Sequence, residues 1–371
     1  MAGIYIHIPF CKSRCIYCGF YSTTHSELRR RYVETLCREY ALRKHYLGER
    51  VHTIYIGGGT PSQLDAPELR RLFSVLPAAD AEEVTIECNP DDLTEAYAQL
   101  LSALPVNRVS MGAQTFSDER LRFLHRRHSA SQIAVAVDRL RKAGIGNISV
   151  DLMYGFPGET LAEWHADIEQ ALALDVEHLS AYGLMYEEGT PLHKLLQTGR
   201  VDEVDEELSR QMYYDLKDRL EAAGYEHYEI SNFARKEERG ASFRSMHNSG
   251  YWNQTPYLGL GAAAHSFDGR SRQWNADDIE AYMQGVECGD LVFEREELDE
   301  ATLYNELIMT RLRTSDGLTL ALLSVAQRDY CLRLAEKYIA DGLLLKEKDH
   351  LRLSRRGLYV SDMVMSELMK V

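Results

Sequence analysis

The residues best equipped for chemistry are Cys11-Lys12-Ser13-Arg14-Cys15-Ile16-Tyr17-Cys18. Spacings of three and then two residues let one short loop wrap a single metal centre. Thiolates are soft ligands that suit zinc or an iron–sulfur cluster. A structural zinc wants four protein ligands. No fourth cysteine is close by: Phe20 stands two residues after Cys18, and His25 is loosely spaced. A cubane cluster is usually held by four cysteines, so three would leave one iron open to an outside ligand. The motif is therefore read as a 4Fe–4S site with an open iron, and zinc completed by His25 is the alternative. Cys37, Cys88, Cys288 and Cys331 have no partners in sequence and are read as small hydrophobes. Seven cysteines, three of them within eight residues, do not form a secreted disulfide framework and fit a cytosolic metal or redox site.

A second set of residues could grip a small polar ligand. Gly57-Gly58-Gly59-Thr60-Pro61 is a turn where backbone can approach a ligand closely. Glu87, Gln114 and Asp151 are expected near the ends of strands. Carboxylates there could accept hydrogen bonds from an ammonium or a ribose. Arg126, in the basic stretch Arg120 to His128, could pair with a carboxylate.

The elements that must position these groups alternate. Strand patterns fall at 4–8, 51–57, 83–88, 106–114, 146–154 and 177–184. Helical patterns fall at 27–45, 66–76, 94–104, 131–143, 160–174 and 205–223. Asp65 and Thr160 carry helix-start signals. Six such units imply a parallel sheet with right-handed crossovers, and six are too few for a closed eight-unit barrel. Every strand has one apolar face: Ile4, Ile6 and Ile8 in the first, Val109, Met111 and Ala113 in the fourth. The opposite faces carry Tyr5, His7, Thr53, Tyr55, Glu87, Gln114 and Asp151. An ordinary barrel fills its interior with branched apolar residues. A polar interior predicts a cavity for a polar ligand.

Past residue 232 the pattern changes. Residues 233–247 read as a polar, basic loop with Arg235, Lys236, Arg239 and Arg244, and a helix is expected over 275–285. Residues 300–371 read as three helices, a hairpin and a final helix, a winged-helix-like outline. That segment holds 11 Lys and Arg against 10 Asp and Glu, so it lacks the basic face of a nucleic-acid reader. The whole chain of 371 residues has a net charge of −15, which also argues against nucleic acid or a membrane surface. No apolar run is long enough to span a bilayer, and the first residues lack a signal-peptide pattern.

The Cys-x-x-x-Cys-x-x-Cys loop after a first strand resembles the radical S-adenosylmethionine (SAM) superfamily. Tyr5-Ile6-His7-Ile8-Pro9-Phe10-Cys11, Gly57 to Pro61, Gly112-Ala113-Gln114-Thr115-Phe116 and Asp151-Leu152-Met153-Tyr154-Gly155-Phe156-Pro157 narrow the likeness to the branch of the oxygen-independent coproporphyrinogen III dehydrogenases and their haem-chaperone relatives. The resemblance implies an α/β fold: a partial (β/α)6 radical SAM barrel over 1–232, a connecting segment over 233–299, and a mainly helical, winged-helix-like domain over 300–371. It implies a 4Fe–4S cluster on Cys11, Cys15 and Cys18. It also implies SAM contacts from Tyr5, Tyr17, Gly58, Gly59, Thr60, Glu87, Gln114, Arg126 and Asp151. The dehydrogenases carry a fourth cysteine where this chain has Phe20, and an extension ahead of the first strand that this sequence lacks. His247, Asn248, Tyr251 and Trp252 match a His-Asn-x-x-Tyr-Trp motif of the chaperone kind.

The expected function is therefore haem binding and delivery, in the cytoplasm, to an acceptor of a respiratory chain, with an electron donor for the cluster. The alternative is radical decarboxylation of coproporphyrinogen III. Imidazole suits haem iron, and His247 is the expected haem ligand, with the basic loop near the propionates. His265, among small residues, is its main competitor. The plain alternative is that His247 and Asn248 bond locally and Trp252 is core.

Overall fold

The computed structural model describes residues 1–236 and 242–370. Arg239 of the basic loop lies outside them. Six parallel strands run in sequence order across the centre of one sheet: β1 (Ala2–Ile8), β2 (Val51–Gly58), β3 (Glu83–Cys88), β4 (Arg108–Gln114), β5 (Asn147–Tyr154) and β6 (His178–Gly183). The helices that cover them are α1 (Arg29–Arg43), α2 (Ala66–Phe73), α3 (Glu95–Ser102), α4 (Asp118–Phe123), α5 (Ala130–Lys142), α6 (Leu161–Ala173), α7 (Pro191–Gln197) and α8 (Glu206–Ala222). Thr160 forms a full capping box with Glu163, as their spacing predicts, and the helix start expected at Asp65 is a capping box as well, closed by Glu68. The apolar strand faces pack under these helices: Ile4, Ile6, Ile54, Ile86, Val109, Ile148, Val150 and Leu179 are all buried in one core. The polar faces are left to line the concave side.

The sheet continues beyond the six strands, to twelve. At the β6 edge come β7 (Tyr225–Glu229) and β8 (Asn232–Arg235), antiparallel, in the order β6-β8-β7. Part of the expected basic loop is therefore strand. Residues 233–299 do more than connect. They give α9 (Met246–Trp252), then β9 (Tyr257–Leu260) parallel to β1, then β10 (His265–Phe267) and β11 (Ser271–Asn275). Next come α10 (Ile279–Cys288), packed on α1, and the edge strand β12 (Phe293–Glu297). Strands of three to five residues show too little alternation to be read from sequence. β12 is fully exposed and reads Phe-Glu-Arg-Glu-Glu; charge on an edge strand discourages pairing with another chain.

A second core gathers Tyr304, Ile308, Leu318, Cys331, Leu344, Leu351, Val364 and others. It is built by α11 (Glu300–Leu312), β13 (Leu318–Thr319), α12 (Val325–Ala340), the hairpin β14 (Leu344–Glu347) and β15 (His350–Leu353), α13 (Arg355–Tyr359) and α14 (Ser361–Leu368). Two long helices precede the hairpin, where three are expected. The intervening segment instead pairs Leu318 with Leu351 to make a three-stranded sheet. No helix among the described residues is long and apolar enough to cross a membrane.

Candidate functional site

β1 ends at Ile8, and the chain then crosses the C-terminal end of the sheet as the loop that carries Cys11, Cys15 and Cys18. Parallel sheets place ligands at this end. The loop is tied down from several sides. Cys11 N–H donates to the Thr23 carbonyl at 2.8 Å, Thr23 N–H to Pro9 at 2.7 Å, and Ile16 N–H to Leu124 at 3.2 Å. His7 Nε2 meets the Tyr21 carbonyl at 2.9 Å. The three cysteines are half-buried and free of disulfides. Thr60 Oγ1 lies 3.3 Å from Cys11 Sγ, and Arg126 Nη1 donates to Cys15 Sγ at 3.8 Å. Burial raises the pKa of the Cys11 and Cys18 thiols, and at Cys11 the Thr60 hydroxyl and the Arg126 charge pull the other way; thiolates are what a cluster requires, and metal itself favours them. Among the described residues no three His, Cys, Asp or Glu side chains converge tightly enough to share one ion. A cubane does not ask for that, because each cysteine binds a different iron. Three thiols on one tied loop fit a cluster that keeps one iron open.

The ligand-gripping residues meet beside this loop. Glu87, at the end of β3, accepts from Tyr55 Oη at 2.8 Å and from Gly58 N–H at 3.1 Å. Burial pushes its pKa up to about 7, against the pull of these bonds and of Arg108. Asp151 on β5 accepts from Ser110 Oγ at 3.3 Å and is also raised by burial. Both carboxyls have spare acceptor capacity, and a cationic or hydroxyl-bearing ligand would use it. Arg126 donates to Asn89 Oδ1 at 2.8 Å and to the Gly112 carbonyl, while its Nε has no partner. Tyr17 is half-buried in the field of Arg126 and Cys15. Gln114 closes β4 in a left-handed conformation, φ 68°, at a register shift between Gly112 and Gln114. Bulges and non-glycine residues at positive φ cluster at functional sites. Tyr5 lies deeper, stacked on Tyr55 with centroids 6.2 Å apart and 3.1 Å from His7 Nδ1.

The glycine turn has a second reason for its composition. Gly58 has φ 112°, and a Cβ on it would fall 2.6 Å from His7 Nδ1; one on Gly59 would fall 2.7 Å from the Pro9 carbonyl. These glycines let the β2 turn press against the strand that launches the cysteine loop. Asp92, which carries no motif of its own, joins the same parts. It accepts from Lys12 at 3.1 Å, Ser62 at 2.9 Å, Gln63 at 2.5 Å and Arg127 at 3.3 Å. The Asn89-Pro90-Asp91-Asp92 turn closing the third strand was the available signal. Among the isolated cysteines, Cys37, Cys88 and Cys331 are buried as expected, whereas Cys288 is exposed.

His247 is not brought to this site. It lies on α9 at the opposite end of the barrel, under the first residues of β1 and β2. Its Nδ1 is 2.8 Å from Thr53 Oγ1 and its Nε2 is 2.9 Å from Tyr251 Oη. Its ring stacks on Tyr55 at 5.2 Å, and its backbone N–H donates to Glu83 at 2.9 Å. Burial, assisted by Arg108, lowers its pKa to about 3. The expected haem ligand His247 is placed as the local-bonding alternative has it: both nitrogens are engaged and the ring is buried, so ligation through either nitrogen would break one of these hydrogen bonds. Trp252 points the other way, with the Arg313 guanidinium 4.8 Å from its ring centre. The motif joins the barrel base to the second core.

Comparison with known proteins agrees with this geometry. The radical SAM superfamily profile matches residues 5–171, and the HemN C-terminal domain profile matches 298–360. The chain is 34% identical to the heme chaperone HemW of Bacillus subtilis, over 97% of this chain and 95% of that protein. It is 35% identical to the heme chaperone HemW of Lactococcus lactis, over 84% and 82%. It is 31% identical to the mitochondrial radical S-adenosyl methionine domain-containing protein 1 of Danio rerio, over 86% and 74%. In fold it is similar to coproporphyrinogen III oxidase (HemN) from Escherichia coli, with a TM-score of 0.85 at 21% identity, covering 100% of this chain and 90% of that one. The end-to-end identity, with the cysteine loop and polar barrel face in place, shows that the chain belongs to the HemW family of the radical SAM superfamily.

Proposed function

We propose that this protein is a haem chaperone: it binds haem and a 4Fe–4S cluster with SAM, and passes the haem to an acceptor protein of a respiratory chain in the cytoplasm. The carrying observation is the near full-length identity to proteins named heme chaperone HemW. Phe20 supports it, because a 74% exposed phenylalanine occupies the place where the dehydrogenase resemblance calls for a fourth cysteine. Radical SAM membership implies the cluster and SAM. When bound, the cluster supplies one electron to the SAM sulfonium.

The chain's own residues divide the work. Cys11, Cys15 and Cys18 hold the cluster and leave one iron for SAM. Arg126, against Cys15, offsets the negative charge of the thiolates. Gly58, Gly59 and Thr60 bring backbone and a hydroxyl close to the methionine part. Glu87 accepts from its ammonium group, and Asp151 and Gln114 bind the ribose side, with Tyr5 and Tyr17 as walls. An electron donor must reach the cluster from the exposed side of the loop, where Lys12, Ser13 and Arg14 are exposed.

The test is haem uptake and transfer. The full chain, with its cluster reconstituted anaerobically, should bind haem stoichiometrically and release it to an apo-haemoprotein of the respiratory chain. With SAM, a reductant and coproporphyrinogen III it should form no decarboxylated product. Decarboxylation over many turnovers would overturn the reading in favour of the dehydrogenase.

A further inference from the structure

The structure separates the histidines by what their rings already do. Among the described residues, His7, His25, His52, His128, His165, His178, His227, His247 and His350 each have a ring nitrogen in a hydrogen bond or ion pair. His45, His125, His193 and His265 have none. Of these four, His265 alone stands against an aromatic ring. It is stacked on Trp274 with centroids 5.9 Å apart and planes 25° apart, and it is exposed.

Its placement is built. β11 alternates strictly between buried and half-buried residues, and β10 leaves only His265 exposed. Ser266, Ser271, Gln273 and Asn275 are buried, and Ser266 and Asn275 bind Arg43 and Glu39 of α1 on the convex side. His265, Phe267 and Trp274 occupy the other face. Phe267 meets Tyr257, Tyr257 meets Tyr251, and Tyr251 meets His247, so an aromatic row crosses the concave side from the motif to the strand of His265. The turn that delivers His265 is constrained: Gly261 has φ 104°, and Ala263 has φ 58°, unusual for a residue with a Cβ. A Cβ on Gly261 would strike the Tyr32 hydroxyl and the His7 carbonyl, and one on Gly259 would strike the His265 carbonyl. This turn follows the C-terminal end of β9, which is parallel to β1. His265 therefore emerges at the same end of the sheet as the cysteine loop, two strands away from β1. Partial burial and the Arg272 charge keep its pKa below the usual imidazole value, so the ring is neutral and can donate a lone pair to a metal.

Resting on the haem-chaperone reading, we propose that His265 is the protein's axial ligand to haem iron, with Trp274 as an aromatic wall, and that His247 instead braces the barrel base. The haem then sits beside the cluster end of the sheet. The experiment titrates haem into the cluster-loaded full chain and follows the Soret difference spectrum. His265→Gly should weaken haem binding at least about tenfold and shift the Soret band, and added imidazole should restore the wild-type spectrum. His247→Gln, provided it keeps the wild-type circular dichroism, should leave affinity and spectrum unchanged. If His265→Gly binds haem with wild-type affinity and spectrum, this ligand assignment is overturned while the chaperone reading stands. If the wild type itself takes up no haem, the chaperone reading falls and the assignment with it.

Discussion

At the mouth of the barrel, Cys11, Cys15 and Cys18 are half-buried, and Glu87 and Asp151 keep acceptor capacity to spare. At the base, His247 is buried, both its nitrogens are bonded, and its ring is clamped against Tyr55. Both regions carry motifs that resemble a known pattern, but only the first leaves its reactive atoms available. A motif names residue types, and availability depends on what the rest of the chain has already spent on them. Polar groups in the interior are normally satisfied by protein, so a polar side chain with unspent bonding capacity is the more informative signal.

The sharpest way to break this comparison is at the cysteines. Cys11→Ala, Cys15→Ala or Cys18→Ala should reduce reconstituted iron from about four per chain to near none. Cys37→Ala and Cys288→Ala should leave it unchanged. Iron and labile sulfide assays decide, and stoichiometric zinc without sulfide would refute the cluster.

The base should respond in stability instead. His247→Ala removes two hydrogen bonds and a stacked ring and should cost about 3 kcal/mol in urea unfolding. His265→Ala should stay within about 0.5 kcal/mol. Equal effects would erase the distinction between brace and ligand. The depressed pKa of His247 adds a pH signature. Its folded-state value of about 3 lies below the unfolded 6.5, so its stabilisation is present above pH 6.5 and is lost as pH falls toward 3. His128 and His178 are lowered too, so His247→Gln should flatten the acid limb of stability without abolishing it.

Binding of SAM should titrate at the other end. Glu87 ionises near pH 7 and faces Tyr55, Asp151 and Arg108. Its deprotonation adds the charge that attracts an ammonium, so affinity should rise between about pH 6 and 8. Glu87→Gln should weaken SAM by about tenfold or more and remove most of that rise; calorimetry across pH would detect a flat wild-type profile that defeats the assignment. The smallest effect is expected at the joint between the two cores. Arg313→Ala, which strips the cation from Trp252, should cost about 1 kcal/mol of unfolding free energy. No measurable change would mean that the motif's tryptophan does not couple the cores.

Much of this was legible in the sequence for a physical reason. Strand alternation is local: Ile4, Ile6 and Ile8 against Tyr5 and His7 follows from backbone geometry alone, and the six central strands and their capped helices lie where that pattern puts them. Two cysteine spacings in one loop are likewise local, and so they marked the mouth of the barrel. The short strands β7 to β12 were not legible, because three to five residues carry too little periodicity, and their pairing joins segments far apart in the chain. The fate of the histidines was decided only by the tertiary structure. His247 and His265 are 18 residues apart, and the sequence puts His247 first as a haem ligand with His265 as its competitor. Thr53 and Tyr251 consume the nitrogens of the first, whereas the turn through Gly261 and Ala263 carries the second onto an open face beside Trp274. Sequence determines which groups exist and which face of an element they share; which of them still has a bond to offer depends on partners brought from distant parts of the chain.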